Sequence, residues 1–146
     1  MTGNNNKQGN RSSSRVLVVD DEPDIITLFE LALRDSGFEV DSFNDPSAAL
    51  SNFKPCYYDL VILDIKMPKI NGFELCAEMK KIDDQIKICF LTAGEMYYDI
   101  FRLGKNQRLQ EEVQEKYCKL NNDRFLQKPI SNGDLVKNLN KILFMN

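Results

Sequence analysis

The sequence predicts an α/β fold in which a doubly wound, five-stranded parallel sheet is flanked by helices. Two observations support this prediction. Short apolar runs that suit buried strands alternate with amphipathic stretches that suit helices, from residue 15 to the end of the chain. Most of the apolar runs also end in polar residues. In a parallel sheet these residues would lie at the edge where ligands bind. The 146 residues suit one such domain.

Five segments are predicted to be strands. The first and third are short, continuous apolar runs, which are typical of strands buried on both faces of a sheet. The second segment alternates apolar and polar residues, as a half-exposed edge strand does. In chain order, the predicted strands cover residues 15–20, 38–43, 59–65, 86–91 and 124–126.

Helices are predicted between these strands from their end signals. Pro23 suits the first turn of the first helix, and Gly37 suits its left-handed cap. The second helix is expected to begin at Asp45, the third at Asn71 and the last at Ser131. The side chains expected to face the core are Ile25, Leu28, Phe29, Ala32 and Leu33 in the first helix, Leu75, Cys76, Met79 and Ile82 in the third, and Leu135, Leu139, Ile142 and Leu143 in the last.

Composition argues against several classes of function. The chain has no histidine, and its four cysteines show no paired short spacing, so neither a zinc site nor a Ser-His or Cys-His nucleophile pair is expected. A net charge of −3 argues against direct binding of nucleic acid. No apolar run approaches the ~20 residues of a membrane helix. Residues 1–14 are polar and are expected to be a disordered tail rather than a secretory signal, so we expect a cytoplasmic protein.

Acidic, hydroxyl and amino side chains follow four of the predicted strands. Asp20 and Asp21 follow the first strand, and Asp64 follows the third apolar run. These carboxylates call for a cation, because two charges ~4 Å apart repel by about 4 kcal/mol at an effective dielectric constant of about 20. Ligands that are all oxygen favour Mg²⁺. Together with Thr92 and Lys128, this cation would neutralise a transferring phosphoryl group, for which Asp64 is the best candidate acceptor.

These residues, in this order, resemble the receiver domain of two-component response regulators. The resemblance runs from about Arg15 to the C-terminus, so residues 15–146 are expected to form a receiver domain. It implies a flavodoxin-like sheet with the strand order 2-1-3-4-5. It also implies that the protein is a signalling phosphoacceptor and not an enzyme. Such a phosphoacceptor catalyses only its own phosphorylation and slow autodephosphorylation. Because only one helix fits after Pro129, we expect a stand-alone receiver that works through protein partners.

The resemblance assigns roles to single residues, partners and a cofactor. The implied roles are phosphoacceptor for Asp64, direct Mg²⁺ ligands for Asp21, Asp64 and the backbone carbonyl of Lys66, a water-mediated metal contact for Asp20, phosphate pairing for Lys128, and switching for Thr92 and Phe125. The implied phosphoryl donor is a sensor histidine kinase or a phosphotransfer protein. The implied output is contact between the face formed by helix four, strand five and helix five and an unknown downstream protein, and a homodimer is possible.

Two other classes of protein share parts of this pattern. An aspartate-nucleophile Mg²⁺ phosphohydrolase of the haloacid dehalogenase type has a strand-borne aspartate, but its second aspartate, two residues further on, is Lys66 here. A flavodoxin-like FMN binder holds phosphate in a loop rich in Ser, Thr and Gly after the first strand. In this chain, Asp20, Asp21 and Glu22 would repel phosphate at that place unless a metal ion intervened. The phosphohydrolase is the alternative to the receiver.

The segment before the predicted fifth strand is longer than in a typical receiver, which predicts an enlarged helix-four region at about 95–122. Within it, Leu109, Val113 and Leu120 fall on one helical stripe, with Tyr117 beside them. We expect this stripe to contact a partner protein or a second copy of the chain. The alternative is that the stripe packs on its own sheet, as part of a lengthened fourth helix.

Overall fold

A parallel five-stranded sheet with helices on both faces forms the body of the molecule. The structure is a computed structural model, and it describes residues 13–93, 106–117, 119–120 and 124–144. Nearly all of the predicted tail at 1–14, and the enlarged region from 95 to 105, therefore lie outside the described residues. The predicted fold class and strand order 2-1-3-4-5 are confirmed.

The five strands form one sheet. They are β1 (Arg15–Val19), β2 (Glu39–Phe43), β3 (Leu60–Asp64), β4 (Lys87–Thr92) and β5 (Arg124–Gln127). Their spatial order is β2-β1-β3-β4-β5, and all four neighbouring pairs are parallel. β3 is central and entirely buried, which agrees with its continuous apolar sequence. Since all the strands run in one direction, their carboxyl ends meet at a single edge.

The described residues include five helices. They are α1 (Pro23–Asp35), α2 (Pro46–Asn52), α3 (Gly72–Ile82), α4 (Gln107–Lys116) and α5 (Asn132–Phe144). α1 and α5 cover one face of the sheet, whereas α2, α3 and α4 lie on the other. The predicted end signals are present: Gly37 has a φ of 94° after α1, and the Asp45 side chain accepts a hydrogen bond from the Ser47 amide. Among the described helices, none is long and apolar enough to cross a membrane.

Alternation along the central strands divides the core into two layers. Leu17 and Val61 point into the layer under α2, α3 and α4, whereas Val18 and Ile62 point into the layer under α1 and α5. All four side chains are fully buried. Complete burial of such a side chain contributes roughly 1.5–3 kcal/mol to stability, so the sheet is held from both faces and its edge residues are fixed in position.

Two apolar residues predicted to be in the core lie at the surface instead. Leu28 of α1 is 51% exposed and Ile82 of α3 is 41% exposed. In α1 the buried stripe runs through Ile26, Phe29 and Leu33, so Leu28 points away from the sheet. Ile82 is the last residue of α3. Both predictions were therefore wrong, because apolar character alone does not tell which side of a helix faces the core.

The stripe on the enlarged region packs on the domain itself. Val113, Tyr117 and Leu120 are partly buried against the core layer that includes Phe73. Tyr117 stacks on the Phe73 ring, with centroids 5.9 Å apart and an angle of 20° between the ring planes. The expectation that this stripe contacts a partner stays a prediction, because all three side chains remain partly exposed. The alternative, that it packs on its own sheet, agrees with the structure.

Candidate functional site

The predicted site residues come together at the carboxyl edge of the sheet. Asp20 follows β1 directly, and Asp64 is the last residue of β3. Thr92 ends β4, and Lys128 follows β5. β1, β3 and β4 are adjacent in the sheet, so residues far apart in the chain meet here. The backbone ties the edge together as well, since the Lys128 amide donates a hydrogen bond to the Thr92 carbonyl at 2.8 Å.

Three carboxylates form the centre of the site. Asp20, Asp21 and Asp64 each offer one oxygen, and these oxygens lie within 4.8 Å of one another. Asp20 is completely buried and Asp64 is 5% exposed. Carboxylates this close and this buried repel each other unless a cation lies between them. The donor set is all oxygen, which fits Mg²⁺, so among the residues that the structure describes these three side chains could hold a metal ion.

Lys128 supplies positive charge beside the carboxylates. Its Nζ lies 2.9 Å from Asp20 Oδ2, 2.9 Å from Glu22 Oε1 and 3.6 Å from Asp64 Oδ1. Burial lowers the pKa of the Lys128 ammonium, but hydrogen bonds to Asp20 and Glu22 raise it, and the net pKa is above its usual value. The side chain therefore stays charged at neutral pH. The Lys128–Pro129 peptide bond is cis.

The environment of Asp64 disfavours its ionised form. Burial raises the pKa of Asp64, the Asp20 carboxylate raises it further, and Lys128 lowers it, so that the pKa is about 7 rather than the ordinary 3.8. Without a metal ion, the Asp64 carboxyl therefore keeps its proton to a higher pH than an ordinary aspartate does. A divalent cation bound by the cluster would stabilise the carboxylate and lower this pKa.

A close-packed turn holds Asp64 in place after β3. A Cβ on Gly72 would lie only 2.5 Å from the Asp64 carbonyl oxygen, so no larger residue fits without moving the backbone. Next to it, Asn71 and Glu74 form a capping box, in which each side chain accepts a hydrogen bond from the other's backbone amide at 2.9 Å. α3 therefore begins directly against the end of β3.

A small cleft opens above the carboxylates. Its volume is about 230 Å³, and it is lined by Asp21, Glu22, Asp64, Lys66, Thr92, Ala93 and Lys128. Acidic residues, a buried hydroxyl residue and the Lys128 ammonium thus surround one space. The exposed Lys66 adds a second amino group at its rim. Because the walls carry both negative and positive charges, the cleft suits an anionic ligand that binds together with a cation.

Phe125 lies behind the cleft rather than in it. It is 5% exposed on β5 and packs face to face with Phe90 of β4, with ring centroids 4.9 Å apart and an interplanar angle of 23°. Phe73 of α3 contacts both rings. Phe125 therefore connects β5 to β4 and α3 through one aromatic group.

The structure brings Asp20, Asp21, Asp64 and Lys128 into contact, and it places Thr92 and Lys66 on the same cleft. The sequence reasoning gave no site role to Glu22, whose carboxylate contacts Lys128. A signal for Glu22 was available in the sequence, because this residue directly follows Asp20 and Asp21.

Comparisons with known proteins agree with this arrangement. The response regulator receiver domain family matches residues 16–140. The chain therefore belongs to the response regulator receiver domain family, as its motifs predicted. This result also favours the receiver over the phosphohydrolase alternative.

Individual relatives and structures are similar to this chain. The transcriptional regulatory protein PrrA of Mycobacterium leprae is 40% identical over 82 residues, which are 56% of this chain and 35% of PrrA. The chain spans about a third of the length of the curated relatives it matches. The response regulator TrrA of Thermotoga maritima, solved in complex with Mg²⁺-BeF, is 32% identical with a TM-score of 0.68, over 89% of this chain and 99% of TrrA. A chain in the structure of the histidine kinase ThkA with TrrA is 34% identical with a TM-score of 0.67, over 89% and 98% of the two chains.

Proposed function

We propose that this receiver domain accepts a phosphoryl group on Asp64 in a Mg²⁺-dependent reaction, and that it passes the signal on through protein contacts. The main support is the meeting of three carboxylates and one ammonium group in a single cleft, with Asp64 at the end of the central strand. Transfer of a phosphoryl group to a carboxylate needs this combination of a nucleophile and positive charge.

The Asp64 carboxylate is the nucleophile in this proposal. One carboxylate oxygen attacks the phosphorus of a phosphohistidine donor. As the new O–P bond forms, the P–N bond breaks, and its electron pair returns to the imidazole nitrogen of the donor. The product is an acyl phosphate on Asp64. An ionised carboxylate needs no general base, which suits a chain without histidine.

The acidic cluster would hold the metal. Asp21, Asp64 and the backbone carbonyl of Lys66 are the proposed direct ligands, and Asp20 is a ligand through water. Bound Mg²⁺ supplies positive charge that neutralises the phosphoryl oxygens and the clustered carboxylates. All of these donors are oxygen atoms, the kind that this cation prefers.

Lys128 and Thr92 would bind the transferred group. The Lys128 ammonium is 3.6 Å from Asp64 Oδ1, within reach of a phosphoryl oxygen on that residue. The Thr92 hydroxyl would donate a hydrogen bond to another oxygen. We propose that this contact shifts β4 and that Phe125, which packs on Phe90, responds. The response would change the surface that β5 and its neighbouring helices offer to a downstream protein.

The proposed phosphoryl donor is a sensor histidine kinase or a phosphotransfer protein. The similar chain TrrA was solved in complex with the histidine kinase ThkA. On the present chain, α1 begins beside the carboxylates and exposes Leu28 and Leu31, at 51% and 60%. Exposed apolar side chains on a helix that begins at the site are suited to docking of a protein donor.

Intact-protein mass after incubation with acetyl phosphate and Mg²⁺ tests the proposal. Wild-type protein should gain one phosphoryl group, whereas Asp64→Asn, Asp21→Ala and wild type in EDTA should gain none. Asp84→Asn removes an exposed carboxylate outside the cleft and is the matched control, which should be labelled as wild type is. Equal labelling in EDTA, or labelling of Asp64→Asn, would contradict the proposed site.

A further inference from the structure

Glu22 occupies a position that helix formation does not explain. It is the N-cap residue of α1, where a short polar side chain normally accepts a hydrogen bond from the first turn of the helix. The Glu22 side chain makes no such bond. The adjacent backbone is satisfied in another way, because the Glu22 amide donates to Asp20 Oδ1 at 2.9 Å. The carboxylate of Glu22 is therefore free of any capping role.

Instead, this carboxylate contacts the ammonium of Lys128, which lies 106 positions further along the chain. Glu22 Oε1 and Asp20 Oδ2 each lie 2.9 Å from Lys128 Nζ, whereas the nearest Asp64 oxygen is 3.6 Å away. Asp20 and Glu22 are therefore the closer partners of the ammonium, and its contact with Asp64 is the longest of the three. The partners differ in exposure, since the Asp20 side chain is fully buried and the Glu22 side chain is 61% exposed.

We propose that Glu22 is a positioning residue that holds Lys128 in a competing ion pair, so that an anion arriving at Asp64 must displace the Glu22 carboxylate. This inference rests on the proposed function. Glu22 is suited to release because it is mostly in solvent and loses little when water replaces Lys128. Asp20 cannot leave in this way, since it is buried at the end of β1. Glu22 thus sets how readily Lys128 pairs with a phosphoryl group.

Binding of beryllofluoride, a phosphoryl analogue, at saturating Mg²⁺ tests this competition without relying on phosphorylation activity. Glu22→Gln keeps the size of the side chain and removes its charge. We expect about two- to five-fold tighter binding by isothermal titration calorimetry, which is the range that partly exposed ion pairs are worth. Asp24→Asn is the matched control, because Asp24 is an exposed carboxylate in the first turn of the same helix. It should change binding little.

A double-mutant cycle shows whether Glu22 acts through Lys128. In a Lys128→Met background, Glu22→Gln should no longer tighten binding, because no ammonium remains for which the Glu22 carboxylate and beryllofluoride could compete. Equal tightening in both backgrounds, or in Glu22→Gln and Asp24→Asn, would instead indicate a general effect of charge and overturn the proposal. Unchanged or weaker binding in Glu22→Gln would also overturn it. If Lys128→Met does not fold, the comparison of Glu22→Gln with Asp24→Asn decides alone.

The same measurements separate this inference from the proposed function. If wild-type protein binds beryllofluoride with Mg²⁺ but not in EDTA, the phosphoryl site stands whatever Glu22 does. If wild type, Glu22→Gln and Asp24→Asn all fail to bind, the proposed function is wrong, and the proposal for Glu22 is wrong with it.

Discussion

The carboxyl edge of the sheet and the aromatic layer beneath α3 and α4 contribute to stability in opposite ways. At the edge, Asp20 and Asp64 are buried beside each other, and burial together with the Asp20 charge raises the pKa of Asp64 to about 7, although Lys128 lowers it. In the layer, Phe73 and Phe90 are almost fully buried, and their rings pack against each other with centroids 5.0 Å apart and an interplanar angle of 45°. The edge therefore destabilises the metal-free domain, and the layer stabilises it. Removing a side chain should have opposite effects in the two regions.

The largest effect is expected in the aromatic layer. Phe73 is 1% exposed and contacts the rings of Phe90, Tyr117 and Phe125. Phe73→Ala should lower the free energy of unfolding by about 3–5 kcal/mol, because it removes a buried ring and leaves a cavity. Urea denaturation followed by circular dichroism measures this change.

Phe144→Ala is the matched control for this variant. Phe144 is 59% exposed at the end of α5, so its loss should change stability by less than about 0.5 kcal/mol. If both variants lost a similar free energy of unfolding, the aromatic layer would not be a special source of stability.

The next effect has the opposite sign and depends on pH. In EDTA, Asp64→Asn should stabilise the domain by up to about 4 kcal/mol at pH 8, which corresponds to a pKa raised from 3.8 to about 7. Between pH 4 and 7 the folded state holds the Asp64 proton and the unfolded state does not. Wild-type stability should therefore fall as pH rises through this window and stay constant above it. The variant lacks this penalty, so the difference should vanish below about pH 4.

Urea denaturation of both proteins at several pH values from 4 to 8 measures this difference. Asp84→Asn is the control and should show no such trend, because Asp84 is an exposed carboxylate that follows α3. A variant that is less stable than wild type at pH 8 would mean that the Asp64–Lys128 attraction outweighs desolvation, and the edge would then not be destabilising.

The two regions also differ in how far the sequence predicts them. Asp64 and Thr92 were placed in the site because a strand end is a local feature, and parallel topology brings all such ends to one edge. The exposure of Leu28 could not be predicted, since neighbouring apolar positions on α1 compete for the core face and only packing decides between them. The apolar stripe at Val113 has the same sequence pattern whether it meets a partner or the domain's own sheet.

The contact between Glu22 and Lys128 was also beyond sequence reasoning. No local pattern links two residues that are 106 positions apart. Their meeting depends on which strands are neighbours at the edge and on where α1 begins. Residue types at strand ends thus predict the chemistry of the site, whereas the pairing of charges within it depends on the completed fold.

Tyr117 connects the two regions and gives the smallest expected effect. Its ring stacks on Phe73 in the aromatic layer, and its hydroxyl accepts a hydrogen bond from Asn71 Nδ2 at 3.4 Å. Asn71 caps α3 in the turn that fixes Asp64. Either the stacking or the hydrogen bond could anchor the segment after α4 to the domain. Because 3.4 Å is long for a hydrogen bond, we expect the ring to contribute more.

Replacing Tyr117 in two ways separates these contributions. Tyr117→Phe keeps the ring and should lower the free energy of unfolding by no more than about 0.5 kcal/mol, since only a long, partly buried hydrogen bond is lost. Tyr117→Ala also removes the stacking and should cost about 1–2 kcal/mol. Urea denaturation measures both changes. Equal losses in the two variants would show that the hydroxyl contact with Asn71 anchors this segment, so that the polar turn after β3, rather than the aromatic layer, would hold the end of α4 in place.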